Sequence, residues 1–213
     1  MALTVNEIFR SIQGESTWSG CLCTFVRLTG CNLRCSFCDT TYAYEQGEEM
    51  SVDEVLTRVR SYSTRLVEIT GGEPLLQAET ASLAQAFLSA GQKVLVETNG
   101  SLDISVLPEG VVRVVDIKCP GSGMADRMRW QNLELLRPGD EVKFVLSGRP
   151  DYDWAKAVGT RYGLFERVPV LFSPAFDRLR PEELANWMVH DNLPARFQVQ
   201  LHKVVWGPAA EGV

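Results

Sequence analysis

The chain has 213 residues, with 21 Lys and Arg against 27 Asp and Glu for a net charge of −6, and 45% of its residues are hydrophobic. That length and balance suit one compact domain over residues 1–213 and exclude a disordered chain, a collagen-like repeat and a small disulfide-stapled scaffold. The acidic excess provides no footprint for a polyanion, so a small-molecule ligand is expected, with no nucleic-acid or membrane partner.

In chain order, residues 4–10 form a candidate outlying strand, and apolar, β-branched runs follow at 22–28, 66–70, 93–97, 111–117, 141–146, 168–172 and 196–201. Several runs are nearly continuous rather than alternating, as in parallel strands covered on both faces. Helical patterns fall between many of them. In SVDEVLTRV a capping-box spacing between Ser51 and Glu54 precedes an apolar stripe of Val52, Val55, Leu56 and Val59. Further helices are predicted over 79–90, closed by Gly91, and over 181–190, where Pro181 sits in the first turn ahead of two acids. The βα alternation predicts an α/β fold with a parallel sheet. A full eightfold barrel usually needs roughly 250 residues, so a partial (β/α) barrel of about six parallel strands is expected.

No stretch approaches the roughly 18 apolar residues of a membrane span, and the opening MALTVNEIFR has neither the basic nor the apolar region of a secretory signal. The expected location is the cytoplasm. Cysteines in that compartment serve as metal ligands, reactive thiols or small core residues rather than disulfides.

The segments after the strands concentrate the chemistry. TGCNLRCSFCDTTYA, GGEP, TNG, KCPGSG, SPAF and HK each follow one run, and in parallel βα architectures the carboxyl ends of the strands share the face on which ligands sit. Cys31, Cys35 and Cys38 are spaced C-x3-C-x2-C. Three thiolates can hold an iron–sulfur cluster that keeps one iron open for a cosubstrate. The same spacing, completed by Cys21 or Cys23, would instead make a tetrahedral zinc site and a zinc-stabilised interaction module. Cys21, Cys23 and Cys119 otherwise read as small buried hydrophobes.

The cysteine loop, with Phe37 at the aromatic position, resembles the radical S-adenosylmethionine superfamily, and so does Gly71-Gly72-Glu73-Pro74. A closer resemblance, to the 7-carboxy-7-deazaguanine synthases, is carried by SIQGES at residues 11–16, the CDT run at 38–40, TGGEP, ETNG at 97–100 and QLHK at 200–203; Ser16 stands where that family pattern has Gly. It implies a 4Fe-4S cluster on Cys31, Cys35 and Cys38, with S-adenosylmethionine and Mg2+ as further cofactors. It implies conversion of 6-carboxy-5,6,7,8-tetrahydropterin to 7-carboxy-7-deazaguanine with loss of ammonia, on the route to deazaguanine nucleosides such as queuosine. Cleavage of S-adenosylmethionine by the reduced cluster would give a 5′-deoxyadenosyl radical that takes hydrogen from C6 of the pterin and later recovers it.

By the same resemblance, Phe37, Cys38, Asp39 and Gly72 contact S-adenosylmethionine, as do Asp116 and Lys118 at the end of the fourth run and Ser173 and Pro174 near the sixth. Thr40 is the Mg2+ ligand. Ile12, Gln13, Gly14 and Glu15 meet the pterin, together with Arg27, Thr70, Glu97, Asn99 and His202, the last placed on the final strand. Arg27 would bind the substrate carboxylate or sit in a buried ion pair, and Pro208 or Val213 would take a role played by the chain terminus in some relatives. A flavodoxin-like electron donor and a homodimer are implied by kinship. A radical activase of a glycyl-radical enzyme is the alternative that shares the cluster motif.

Overall fold

The computed structural model describes residues 2–208, 210, 212 and 213. Its framework is one nine-stranded sheet: β1 (Ala2–Ile12), β2 (Leu22–Leu28), β3 (Glu48–Ser51), β4 (Leu66–Gly71), β5 (Lys93–Thr98), β6 (Val112–Asp116), β7 (Glu141–Leu146), β8 (Val170–Pro174) and β9 (Arg196–Phe197). The spatial order is β3-β1-β2-β4-β5-β6-β7-β8-β9. From β2 onward the neighbours run parallel, while β1 is antiparallel to both β2 and β3. Because β3 and β9 remain edges, the sheet is open, and the architecture is the expected α/β partial barrel extended by an antiparallel pair.

Two sequence expectations change. The outlying strand is longer than residues 4–10 and runs against β2, pairing Ile12 with Leu22. The run at 196–201 is a strand only at Arg196–Phe197; Leu201–Trp206 is a helix, so His202 lies on a helix and not on the final strand. Its N–H and carbonyl groups are satisfied locally, through Lys203 N to Gln200 O and Gly207 N to Lys203 O. No helix among the described residues is long and apolar enough to cross a membrane.

Alternation along the strands separates two environments. Val26, Leu28, Val67, Ile69, Val94 and Val96 point outward into a core shared with helices α1 (Val52–Ser61) and α2 (Thr80–Ser89), which contribute Val55, Val59, Leu83 and Phe87. Farther along, Val142, Phe144 and Phe172 pack against α3 (Arg149–Arg161) and α4 (Pro181–His190) through Tyr152, Ala155, Leu184 and Met188. Each such fully buried side chain contributes about 1.5–3 kcal/mol. The opposite, concave face carries Arg27, Glu68, Thr70, Glu97, Asp116 and Lys143, residues a covered core would not tolerate. Strand-length apolar runs thus conceal one polar face.

Capping follows the residues that predict it. Ser51 Oγ accepts from Glu54 N, and Glu54 Oε2 accepts from Ser51 N at 2.7 Å. Helix α3 is absent from the sequence expectations; Pro150 starts it, and Asp151 in its first turn is 2% exposed. That carboxylate accepts from Gly121 N, Ser147 N and Ser147 Oγ at 2.6–2.9 Å. Residues 121 and 122 in turn hold the cysteine loop, since Ser36 N donates to Ser122 O and Ser36 Oγ to Gly121 O. Asp151→Ala strands these buried donors, at about 1–3 kcal/mol for each one left unsatisfied. It should lower the melting temperature by about 5–10 °C and reduce iron loading, as measured by thermal unfolding and metal analysis.

Candidate active site

The concave face encloses a cavity of about 580 Å³, within the roughly 300–1,000 Å³ of small-molecule sites. Cys31, Cys35 and Cys38 line it on one side. Gly30 N donates to Ala43 O, Glu73 N donates to Gly30 O at 2.7 Å, and a Cβ on Gly72 would fall 2.2 Å from Gly30 O. Glycine at 72 is therefore required for the GGEP turn to lie against the cysteine loop. Cys31 Sγ accepts from Leu33 N at 3.4 Å and faces Asn99 Nδ2 at 3.9 Å; burial pushes this thiol up, and the Leu33 N–H works against the rise. None of the six cysteines is in a disulfide.

Glu73, fully buried, ties two strand ends together. Its carboxylate accepts from Thr98 Oγ1, Asn99 N and Leu75 N at 2.6–3.0 Å. Burial raises this carboxyl, and the backbone donors work against the rise. Asn99 Nδ2 also donates to Asn32 Oδ1, so β5 and the cysteine loop share one network.

The SIQGES loop arrives from the other end of the sheet. Because β1 runs antiparallel to β2, this loop starts at the amino ends of the parallel strands and reaches up into the cavity. Gln13 Nε2 donates to Glu68, Thr17 N and Oγ1 donate to Glu141, and Lys143 Nζ donates to Glu15 Oε2 at 2.8 Å. Ser16 has φ +63°, a left-handed conformation for which glycine is the usual residue; its Oγ accepts from Trp18 N, a local bond that supports the serine there. Gly14 meets the C-terminal helix α5 (Leu201–Trp206): Leu201 N donates to Gly14 O, and a Cβ at 14 would lie 2.2 Å from His202 Nδ1.

Lys143 Nζ also pairs with Glu97 and lies 3.5 Å from Asp116 Oδ2, while Lys118 pairs with Asp116 at 2.8 Å. Burial works to raise the Glu15 carboxyl, but the Lys143 ammonium and the Gln200 amide together outweigh it and hold the group at about 2. Glu68 behaves oppositely: burial and the nearby Glu97 push its carboxyl well up. Burial lowers His202, with Glu15 opposing. Lys203, on the same helix, pairs with Asp39, whose side chain also accepts from Thr40 Oγ1.

Of the residues singled out in the sequence, Ile12 to Glu15, Arg27, the three cysteines, Phe37, Asp39 and Thr40 line the cavity. So do Thr70, Gly72, Glu97, Asn99, Asp116, Lys118 and His202, and from the C-terminus Pro208 and Val213. Ser173 and Pro174 do not; their neighbours Ala175 and Phe176 do. Arg27 forms the ion pair, through Nε to Glu7 at 2.7 Å, and its guanidinium lies over Phe9 and Tyr42. Cys23 and Cys119 are buried, with their thiols pushed up by burial, whereas Cys21 is exposed rather than a core residue. Lys143, Glu68 and Gln200 were missed. A lone Lys in EVKFVL and a lone Glu in LVEIT were the available signals.

The model of the radical SAM superfamily matches residues 25–117. The 7-carboxy-7-deazaguanine synthase of Koribacter versatilis is 43% identical over 226 residues, spanning 99% of this chain and 100% of that protein. The synthase of Chlorobaculum tepidum is 44% identical over 214 residues, spanning 99% and 97%. The chain belongs to the 7-carboxy-7-deazaguanine synthase family. In fold, QueE from Escherichia coli matches with a TM-score of 0.79 over 95% of each chain at 22% identity. Streptococcus suis SuiB bound to S-adenosylmethionine matches at 0.52 with 12% identity, over 79% of this chain and 44% of that one.

This member of the synthase family is thus a radical SAM enzyme, with a 4Fe-4S cluster and S-adenosylmethionine as cofactors. The donor set fits the cluster. A cuboidal cluster gives each cysteine its own iron, and the three thiols share one cavity wall.

A carboxyl that folding pushes up favours the folded state below its ordinary range and opposes it as pH rises through the raised value. Glu68→Gln removes that opposition. In thermal unfolding it should raise the melting temperature by several degrees near about pH 8 and change it little near about pH 5; equal shifts at both would show that Glu68 does not change protonation on folding.

Proposed function

We propose that this chain contracts the ring of 6-carboxy-5,6,7,8-tetrahydropterin to 7-carboxy-7-deazaguanine with loss of ammonia, the deazaguanine being the product named in its relatives. One observation carries the reading: the cysteine loop and the SIQGE loop, which approach from opposite ends of the sheet, open onto the same cavity. When bound, the cluster and S-adenosylmethionine supply the radical chemistry that no side chain provides. The chain's own residues position the reactants.

On this reading Glu15 and Glu97 accept hydrogen bonds from the N–H edge of the pterin, with Gln13, Thr70, Asn99 and His202 completing the wall. The Arg27 guanidinium binds the substrate carboxylate while its Nε stays on Glu7. Phe37, Asp39 and the Gly72 backbone face S-adenosylmethionine, with the Asp116–Lys118 pair beneath. The turn role expected of Ser173 and Pro174 passes to Ala175 and Phe176, which reach the cavity. Thr40 holds Mg2+ by its hydroxyl, a metal that often takes few protein ligands. We further propose one domain over residues 1–213, a cytoplasmic location, a flavodoxin-like electron donor and a homodimer. The match along the full length of the synthases sets the glycyl-radical activase alternative aside.

Anaerobic incubation of cluster-loaded protein with the carboxytetrahydropterin, S-adenosylmethionine, Mg2+ and a reductant should yield the deazaguanine product by mass spectrometry. No product from a fully loaded sample would reject the assignment. Cys35→Ala should abolish product and cluster absorbance while the far-ultraviolet circular dichroism stays native. Arg27→Ala should raise KM for the pterin about tenfold to a hundredfold, the range of a lost hydrogen bond to a charged group; a matching rise in KM for S-adenosylmethionine would make Arg27 structural.

A further inference from the structure

Lys143 lies in the middle of β7, is 4% exposed and occupies the concave face where the neighbouring inward residues are carboxylates. Its ammonium reaches Glu15 from the SIQGE loop, Glu97 from the end of β5 and Asp116 from the end of β6. Among the described residues it is the one cation within ion-pair distance of Glu15 or of Glu97; Asp116 has Lys118 as well. Glu97 is held by β5, in register with Val114 of β6, whereas Glu15 sits on a loop, so their relative placement depends on what lies between them.

We propose that Lys143 is a positioning residue: it clamps Glu15 and Glu97 as a pair of ionised acceptors, spaced to take adjacent N–H donors of the substrate heterocycle. This rests on the pterin reading above. The ring of carboxylates keeps Lys143 protonated, which removes it as a nucleophile or base and leaves it a fixed charge. Removing that charge strands Glu15 in a buried place. The other groups facing this cluster are Glu68 on β4, Glu141 on β7, Asp116 at the end of β6 and Lys118 after it, Asp39 after the cysteine loop, His202 and Lys203 on α5, and the neutral Gln198 and Gln200 amides, both of which donate to Glu15. None of them replaces a cation within ion-pair distance of Glu15 and Glu97, so without Lys143 only the amide donors and His202 oppose the burial that raises the Glu15 carboxyl. The protonated form is a poorer acceptor for an N–H edge, and affinity then depends on pH.

The test is anaerobic equilibrium dialysis of 6-carboxytetrahydropterin against full-length, cluster-loaded protein with S-adenosylmethionine, from about pH 6 to pH 8.5. The quantity read is the ratio of variant to wild-type dissociation constants, which cancels the pH response of His202 and of the ligand. For Lys143→Met the ratio should exceed about tenfold near pH 6 and fall by about tenfold per pH unit wherever the stranded carboxyl titrates. Lys143→Arg, which keeps the charge, should hold the ratio flat. If Lys143→Met is too unstable, Lys143→Met combined with Glu97→Gln removes one stranded carboxylate and must show the same slope from Glu15.

A ratio near one, a uniformly raised ratio with no slope, or a Lys143→Arg profile identical to that of Lys143→Met overturns the proposal while leaving the substrate reading intact. Wild-type protein that binds no pterin at any pH overturns the substrate reading and this proposal with it.

Discussion

An ammonium enclosed by carboxylates from three separate segments turns the inner surface of this sheet into a chamber rather than a packed core. The outer face is filled by aliphatic and aromatic side chains against four helices. On the inner face the same period-two alternation places Glu68, Glu97, Asp116 and Lys143, and charges of one sign could not be buried together without the lysine to neutralise them. The open edges at β3 and β9 and the enclosed cavity are consistent with this one electrostatic condition.

Much of this was legible in the residues. Parallel strands, the capped helix at Val52–Ser61 and the helix at Pro181–His190 follow from apolar period and terminal chemistry, and their bounds match closely. The cysteine spacing and the motif set led to the synthase family that the relatives bear out. These signals are local, carried by residues adjacent along the chain.

What escaped depends on contacts distant in sequence. The direction of β1 is not encoded in its own residues, and with it came the surprise that the SIQGES loop enters from the far end of the barrel. QVQLHK alternates as a strand does, yet becomes a short helix where Leu201 N finds Gly14 O. The helix over Arg149–Arg161 hides its stripe of Tyr152, Ala155 and Val158 among a glycine, a proline and several charges. Lys143 looks like a blemish in an apolar strand until its partners, 46 and 128 residues away, are brought to it.

The close fit of Gly14 against His202 joins the first turn of the chain to its last helix. During synthesis the loop after β1 therefore waits, without its partner, until α5 has been made. The part of the chamber wall that joins Gly14 to α5 is completed after the strands it faces, although its first residues are made before them. A nascent chain truncated before α5 would carry Cys31, Cys35 and Cys38 and still lack a finished pocket, so the two sides of the cavity mature at different moments in the life of the molecule.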